Sequence, residues 1–231
     1  MTAAFAPRAL VFDMDGLLLD TERIALETFE AACFSQGYVV ERDIYYQCIG
    51  STGAGTRQIL QTALGGDFPY GEISARWSAM YRDRVLTQAV DVKQGAFELL
   101  DLARQVGLPL ALATSTRTAV ARTKLELAGL DRYFPMVIGG DAVVHGKTHP
   151  EPYLTASRML GHVPATCWAI EDSDNGVRAA HAAGLFVLQV PDLVQPSAAV
   201  RGLGHTVVES LYDVARLLAQ HLSTDSTAPA R

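Results

Sequence analysis

Short apolar segments alternate with amphipathic segments over residues 93–222, and this alternation limits the fold more than any other feature of the sequence. The apolar segments are nearly uninterrupted, as in strands buried on both faces of a parallel sheet. Together with the run at 9–12, the predicted strands are 108–115, 136–140, 167–172 and 185–190. The predicted helices are 95–106, 117–128, 152–161, 175–184 and 211–222. The pattern predicts an α/β fold, a Rossmann-like doubly wound parallel sheet.

Residues 20–92 interrupt this pattern, because they show helical periodicity without intervening strands. The predicted helices are 21–36, 55–64 and 71–87, and a polar, glycine-rich segment at 50–56 separates the first two. An all-α insertion after the first strand is expected to cover the carboxyl edge of the sheet, where ligands bind in open α/β folds. We therefore predict a core domain (1–19 and 93–222), a helical cap domain (20–92) and a mobile tail (223–231).

Composition argues against several classes of function. The net charge of −6 at pH 7 disfavours a nucleic-acid partner, which requires a basic surface. No apolar run approaches the length of a membrane span, and the first residues lack the apolar segment of a signal peptide. The three cysteines have no paired spacing, which disfavours a disulfide framework or a cysteine zinc site. The sequence predicts a cytoplasmic protein, a monomer or weak homodimer that binds neither nucleic acid nor membrane.

Two carboxylates follow the first predicted strand. Asp13 comes directly after the apolar run at 9–12, and Asp15 lies two residues further on. Residues two apart in a strand point to the same side, so both carboxylates are expected together at its end. Two adjacent acids repel unless a cation or a shared proton lies between them. The motif alone also fits an ordinary turn at a strand end.

Other predicted strands also end in polar side chains of complementary chemistry. In a parallel sheet these carboxyl ends lie at one edge, so residues distant in sequence converge there. The hydroxyls and the lysine suit an anion, and the clustered carboxylates suit a hard cation, for which Mg²⁺ is the expected ion. These residues are Thr114, Ser115, Thr116, Arg117, Lys147, Glu171 and Asp172.

Each of these residues has a simpler interpretation when taken alone. Thr114 and Ser115 also suit the cap of the following helix, and Lys147, in a loop rich in glycine and proline, also suits a solvated surface. The neighbouring His145 and His149 are more typical of a loop surface than of a site. A site is favoured because four strand ends offer the right chemistry together.

The motifs, taken in this order, resemble those of the haloacid-dehalogenase superfamily of phosphohydrolases. FDMDG, LATST, GKTHPEP and IEDSDNGVRAAHAAG resemble its motifs one to four, over residues 9–220. The chain is similar in particular to the branch with β-phosphoglucomutase and the sugar phosphatases, and FDMDGLLLDTER and ALATSTR resemble pseudouridine 5′-phosphatase-like members. The resemblance implies a Mg²⁺-dependent phosphatase with a helical cap, acting on a small phosphorylated metabolite such as a sugar phosphate or a nucleoside monophosphate.

The resemblance also implies a role for each site residue. Asp13 is expected to be the nucleophile that forms an aspartyl-phosphate, and Asp15 the general acid and base. Thr114, Ser115 and Lys147 are expected to bind the phosphoryl oxygens. The expected Mg²⁺ ligands are Asp13, Asp15 through its backbone carbonyl, Glu171 and Asp172. The candidate substrate-binding residues are Thr116, Arg117 and, in the cap, Arg57.

Three positions depart from the family pattern. Thr148 and Glu151 stand where motif three usually has proline and aspartate, which predicts altered loop stiffness rather than lost function. Ala25 stands where the mutase has a histidine that assists proton transfer, which weighs against the alternative function of a sugar phosphomutase. A second alternative is a non-catalytic binding protein on the same fold, and the complete set of catalytic groups disfavours it.

Substrate specificity is expected to come from the cap. The candidate positions are the segment 50–57 and the helix faces near Arg76, Arg82 and Arg84. Each of these arginines, taken singly, also suits a solvated helix face. Asp20 and Glu22 are assigned to the start of the first cap helix, where acids are favourable.

Overall fold

The computed structural model describes residues 5–51 and 53–225. Its strands are β1 (Ala9–Phe12), β2 (Leu110–Ala113), β3 (Met136–Ile138), β4 (Cys167–Glu171), β5 (Phe186–Gln189) and β6 (Thr206–Val207). They form one parallel sheet in the order β3-β2-β1-β4-β5-β6. The first strand of the chain therefore lies in the middle of the sheet, between β2 and β4, and the predicted doubly wound α/β fold is confirmed.

The helices divide into a group from the inserted segment and a group around the sheet. The first group comprises α1 (Thr21–Phe34), α2 (Arg42–Cys48), α3 (Gly53–Leu64) and α4 (Tyr70–Thr87). The second comprises α5 (Ala96–Gln105), α6 (Thr118–Leu127), α7 (Glu151–Met159), α8 (Asp174–Ala182), α9 (Ala198–Arg201) and α10 (Leu211–Asp225). None of these helices is long and apolar enough to cross a membrane, within the part of the chain that the structure describes.

Alternating side chains of β1 supply both faces of the sheet with core residues. Leu10 and Phe12 belong to one buried cluster, which also contains residues of α5, α6 and α10. Ala9 and Val11 belong to a second cluster, on the side of α7 and α8. All four residues are fully buried. The uninterrupted apolar run therefore reflects a strand that is covered on both faces.

The inserted helices have a core of their own. The Phe29 ring lies 5.1 Å from the ring of Tyr45 and 5.2 Å from that of Trp77. The indole N–H of Trp77 donates to the carbonyl of Ala25 at 2.9 Å. The chain enters and leaves this part side by side, since the backbone N–H of Asp20 donates to the Asp91 carbonyl. This pairing lies next to the predicted boundaries at 19/20 and 92/93.

Some elements differ from the prediction. The short helices α2 and α9 and the two-residue strand β6 were not expected, because such brief elements carry too few residues for a clear apolar period. Helix α10 runs to Asp225, so residues 223–225 belong to a helix and not to the predicted tail. Residues 226–231 of that tail lie outside the described residues.

Candidate active site

The turn after β1 places the first motif at the carboxyl edge of the sheet. The backbone N–H of Asp13 donates to the Ile170 carbonyl at 3.0 Å, which continues the pairing with β4. Gly16 has φ +85°, and a Cβ atom there would lie 2.3 Å from Oδ2 of Asp172. Only glycine combines this backbone conformation with so close an approach. The glycine therefore lets the first motif lie directly against the end of β4.

Three carboxylates meet at this edge. One carboxylate oxygen from each of Asp13, Glu171 and Asp172 lies within 4.8 Å of the others. The Lys147 ammonium lies among them, 2.5 Å from Oδ1 of Asp13 and hydrogen-bonded to Oε1 of Glu171. The Asp13 residue is 6% exposed, and the Lys147 side chain 5%. One buried cation therefore faces three acids.

The pKa values follow from this imbalance. Burial, reinforced by Glu171 and Asp15 and opposed by Lys147, raises the pKa of Asp13 to about 7. Burial and the charges of Glu171 and Asp13 raise the pKa of Asp172 well above its ordinary value. Burial also opposes ionisation of Glu171, but Lys147, together with hydrogen bonds from Tyr153 and Ser173, holds the pKa of Glu171 below its ordinary value. The cluster therefore favours a further positive charge.

The cluster passes a test of fit for a hard cation. Oδ1 of Asp172 is buried and has no hydrogen-bond partner, which is unfavourable for a carboxylate oxygen. The grouped ligands of Asp13, Glu171 and Asp172 are all oxygens, as Mg²⁺ and Ca²⁺ prefer. A divalent cation would satisfy the unpartnered oxygen and offset the excess negative charge.

Besides Lys147, Glu171 is held by donors from the turn after β4 and from α7. Its Oε2 accepts from the backbone N–H of Asp172 at 3.0 Å and from the backbone N–H and hydroxyl of Ser173, both at 3.1 Å. Its Oε1 accepts from the hydroxyl of Tyr153, a fully buried residue of α7, at 2.6 Å. Sequence reasoning missed Tyr153, because in an apolar helix face it resembles a core residue.

The loop that carries Lys147 is shaped by one of the departures from the family motif. The Glu151 carboxylate accepts from the backbone N–H groups of Val144 and His145, both at 2.9 Å. Thr148 follows Lys147 and is exposed. With both departures present, the Lys147 ammonium still lies at Asp13.

The hydroxyl residues after β2 contribute to the site and not to a helix cap. Thr114 is buried, and its Oγ1 accepts from the backbone N–H of Thr116 at 3.1 Å. The backbone N–H of Thr118, in the first turn of α6, donates instead to Asp141 at 2.7 Å. Thr114 and Ser115 line the same cavity as Asp13. The capping alternative is therefore not the arrangement observed.

Both oxygens of Asp15 have partners. The Thr116 hydroxyl donates to Oδ2 at 2.6 Å, and the ammonium of Lys124 donates to Oδ1 at 2.7 Å. Lys124 is a residue of α6 and is 1% exposed. Sequence reasoning missed it, although its spacing from the buried Ala121 and the half-buried Ala128 places it on the apolar face of its helix.

Two cavities adjoin each other: the first is lined by residues of both the sheet edge and the insertion, and the second by residues of the insertion alone. The first has a volume of about 580 Å³ and is lined by Asp13, Asp15, Thr114, Ser115, Lys147 and Asp172, and by Gly50 and Ser51 of the insertion. The second has a volume of about 340 Å³ and is lined by Glu22, Ala25, Tyr45, Thr56, Trp77, Ser78 and Tyr81. Glu22, Ile49, Gly50 and Ser51 line both. The space is open to a ligand that spans the sheet edge and the insertion.

Two predicted substrate-binding residues, Arg57 and Arg117, do not line these cavities, and neither do the two histidines that were assigned to a loop surface. The Arg117 side chain is 81% exposed and lies 3.9 Å from Asp141. The Arg57 guanidinium lies 5.1 Å from the centre of the Tyr70 ring, and Arg57 is exposed. The rings of His145 and His149 pack against each other, 4.5 Å apart, on the surface. The structure brings none of these four residues to the carboxylate cluster.

Comparison with known proteins agrees with this geometry. Residues 10–190 match the family model of the haloacid dehalogenase-like hydrolases, and the chain belongs to that family. The match includes the ends of β1 and β2, followed by Asp13 and Thr114, and the loop that carries Lys147, and it extends to β5.

Three relatives illustrate the similarity. A Thermotoga maritima protein named "Phosphorylated carbohydrates phosphatase" is 33% identical over 177 residues, covering 77% of this chain and 82% of its own. A Drosophila melanogaster protein named "Probable pseudouridine-5'-phosphatase" is 32% identical over 195 residues, covering 79% and 80%. The crystal structure of a HAD family hydrolase from Deinococcus radiodurans R1, with bound phosphate and sodium, has a TM-score of 0.79 and 28% identity, covering 94% of this chain and 97% of its own.

Proposed function

We propose that the chain is a Mg²⁺-dependent phosphatase that hydrolyses a small phosphorylated metabolite through an aspartyl-phosphate on Asp13. The observation that carries the proposal is the contact of Asp13 with Lys147, at 2.5 Å, beside the unpartnered oxygen of Asp172. A carboxylate nucleophile, an ammonium and an oxygen-ligand cluster at one cavity suit phosphoryl transfer, in which charge must be stabilised at phosphorus.

The first half of the reaction transfers the phosphoryl group to Asp13. A carboxylate oxygen of Asp13 forms a bond to phosphorus while the bond from phosphorus to the alcohol oxygen breaks. Asp15 gives its proton to that oxygen, so the alcohol leaves neutral. Lys147 and the hydroxyls of Thr114 and Ser115 stabilise the phosphoryl oxygens as charge builds up.

The second half releases inorganic phosphate. A water molecule forms a bond to phosphorus, and Asp15, now a carboxylate, takes a proton from it. The bond between phosphorus and Asp13 breaks, which restores the Asp13 carboxylate and the protonated Asp15. The same residue therefore acts first as acid and then as base.

Asp13 and Asp172 are the residues best placed to hold the cation, together with Glu171 and the backbone carbonyl of Asp15. When bound, Mg²⁺ supplies positive charge that lets an anionic carboxylate approach an anionic phosphate. Both oxygens of Glu171 already accept hydrogen bonds, so its part as a direct ligand stays a prediction. The raised pKa values of Asp13 and Asp172 and the orphaned oxygen of Asp172 support a cation here.

The second cavity supports an uncharged, polar leaving group. Its walls combine the aromatic rings of Tyr45, Trp77 and Tyr81 with the hydroxyls of Thr56 and Ser78. Among the described residues that line it there is no lysine or arginine to bind a second phosphate. A sugar phosphate or a nucleoside monophosphate fits this chemistry, and the names of the Thermotoga and Drosophila relatives refer to such substrates.

Ala25 supports hydrolysis over a mutase reaction. It lines the second cavity and offers only a methyl group where a mutase needs a proton-transfer group. The binding-protein alternative is disfavoured because the proposed acid, nucleophile and lysine (Asp15, Asp13 and Lys147) all line the first cavity.

The experiment is a phosphate-release assay on a panel of monophosphates and bisphosphates, with and without Mg²⁺, with Asp13→Asn as control. We expect release from monophosphates of sugars or nucleosides that depends on both Mg²⁺ and Asp13. Release that persists in Asp13→Asn, or no release from any compound, would overturn the proposal. Conversion of a sugar phosphate to its isomer without phosphate release would favour the mutase.

A further inference from the structure

Lys124 is the buried charge that the proposed reaction leaves unused. Its ammonium donates to Oδ1 of Asp15 at 2.7 Å and contacts the hydroxyl of Tyr81 at 3.0 Å. It also lies 5.2 Å from the centre of the Tyr81 ring. Lysine is rarely buried to this extent unless it is paired, because the ammonium loses its hydration. The partners of Lys124 therefore indicate what it does.

We propose that Lys124 is a positioning residue that fixes the Asp15 carboxylate toward the leaving group and links it to the inserted helix α4. The inference rests on the proposed function, in which Asp15 is the general acid and base. Lys124 itself is not expected to touch the substrate, since it does not line either cavity.

The fixing of Asp15 follows from its two hydrogen bonds. Thr116, from the loop between β2 and α6, holds Oδ2, and Lys124, from α6, holds Oδ1. Two donors from separate elements leave the carboxylate one orientation, whereas one donor permits rotation about the bond to the carboxyl group. Proton transfer requires the carboxyl within hydrogen-bond reach of the leaving oxygen, so loss of orientation lowers the rate.

The link to the insertion follows from Tyr81. Tyr81 lies on α4, and its ring lines the second cavity, where the leaving group is proposed to bind. Its hydroxyl and the Asp15 carboxylate share the same ammonium. The Lys124 ammonium can therefore contact both Asp15 and Tyr81 only while α4 lies against α6 and the end of β1. The orientation of the Asp15 carboxylate therefore depends on the position of α4, which forms part of the second cavity.

The charge of Lys124 also suits the chemical step. When Asp15 gives its proton to the leaving oxygen, a carboxylate remains beside the Lys124 ammonium and is stabilised by it. In the second half the carboxylate takes a proton from water, and the starting state returns. Lys124 keeps its own protons throughout, so its role is electrostatic and geometric.

The test compares leaving groups, because only a poor leaving group needs the proton of Asp15. Lys124→Met removes the ammonium and keeps a long, flexible side chain. We expect it to lower kcat/KM for an alkyl phosphate on the order of 10²-fold, at the lower end of what a general acid contributes. For p-nitrophenyl phosphate, whose phenolate leaves without protonation, kcat/KM is expected to change little.

Matched variants separate positioning from a structural effect. Arg122→Met removes an exposed cation from the same helix and is expected to leave both substrates unaffected. Tyr81→Phe removes one hydroxyl only and is expected to show a smaller loss with the same dependence on the leaving group. If Lys124→Met does not fold, the kinetics of Tyr81→Phe test the proposal in its place. In an Asp15→Asn background, Lys124→Met is expected to have no further effect on kcat/KM.

Three results would count against the inference. If Lys124→Met lowers kcat/KM equally for the alkyl phosphate and for p-nitrophenyl phosphate, the role of Lys124 is purely structural. If the variant leaves kcat/KM unchanged for both, Lys124 has no role in the reaction. If Lys124→Met and Asp15→Asn together lower kcat/KM by the product of their separate effects, Lys124 does not act through Asp15. A wild-type enzyme that hydrolyses neither substrate would instead overturn the proposed function, and with it the premise of this inference.

Discussion

Glu171 and Gly176 are so close that a Cβ atom at position 176 would lie 1.7 Å from Oε1 of Glu171. The first turn of α8 therefore wraps directly around the buried carboxylate, and glycine is the residue that leaves room for it. The carboxylate in turn accepts from Lys147 and Tyr153, so the position of the Lys147 ammonium depends on this contact.

We predict that Gly176→Ala displaces the Glu171 carboxylate. Overpacking of this kind costs about 1–3 kcal/mol of unfolding free energy, and the displaced lysine contact lowers activity as well. Gly71→Ala is the matched control, because no atom lies within 4 Å of the added Cβ. Urea unfolding and phosphate release measure both effects. Wild-type stability and activity in Gly176→Ala would contradict the prediction.

A second prediction concerns the cation. If Asp172 is a ligand, Mg²⁺ at 100 times its dissociation constant stabilises the folded protein by about 2.7 kcal/mol, since it binds only that state. Asp172→Asn is expected to lose most of this stabilisation, while Asp131→Asn, at an exposed position, retains it. Thermal unfolding with and without Mg²⁺ measures the shift. The same Mg²⁺ dependence in both variants would remove Asp172 from the ligand set.

Glu22 leads to a prediction about pH. Burial, with repulsion from Asp15 and Asp192, raises its pKa from 4.5 to about 7 in the folded protein. At a pH below the pKa that Glu22 has in the unfolded chain, the carboxyl is neutral in both states and does not affect the free energy of unfolding. As the pH rises toward 7 only the unfolded state releases the proton freely, so folding becomes less favourable. Above about 7 the penalty is complete.

Glu22→Gln removes this penalty, because the amide resembles the neutral acid. We expect the melting temperature of the variant to match wild type near pH 4 and to exceed it increasingly up to about pH 8. Glu27→Gln, an exposed position on the same helix, supplies the control. If the difference in melting temperature between Glu22→Gln and wild type is constant with pH, or is larger at low pH, the explanation given for Glu22 is wrong.

The fold was largely predictable because its signals are local. The run that became β1 is apolar throughout, and β4 is apolar up to its last residue, Glu171, as expected of strands covered on both faces. The convergence of Asp13, Lys147 and Asp172 was also predictable, because parallel topology brings strand ends to one edge whatever their distance in sequence.

Other parts of the site depend on tertiary packing that a sequence pattern does not contain. Arg57, on α3, and Arg117, just before α6, carry the right charge for a phosphate, but both side chains are exposed. Lys124 and Tyr153 were missed for the opposite reason, since each lies on a buried helix face and gains its polar partner from a distant element. A side chain's charge can be read from the sequence, but the partner that it meets in the fold cannot.

The central claim is that Asp13 carries the phosphoryl group during turnover. The most direct measurement is an acid quench of the enzyme with Mg²⁺ and a labelled substrate chosen from the panel, followed by peptide mapping. We predict label on the peptide that contains Asp13 and none in Asp13→Asn. Turnover without label on that peptide, or an active Asp13→Asn variant, would contradict the account.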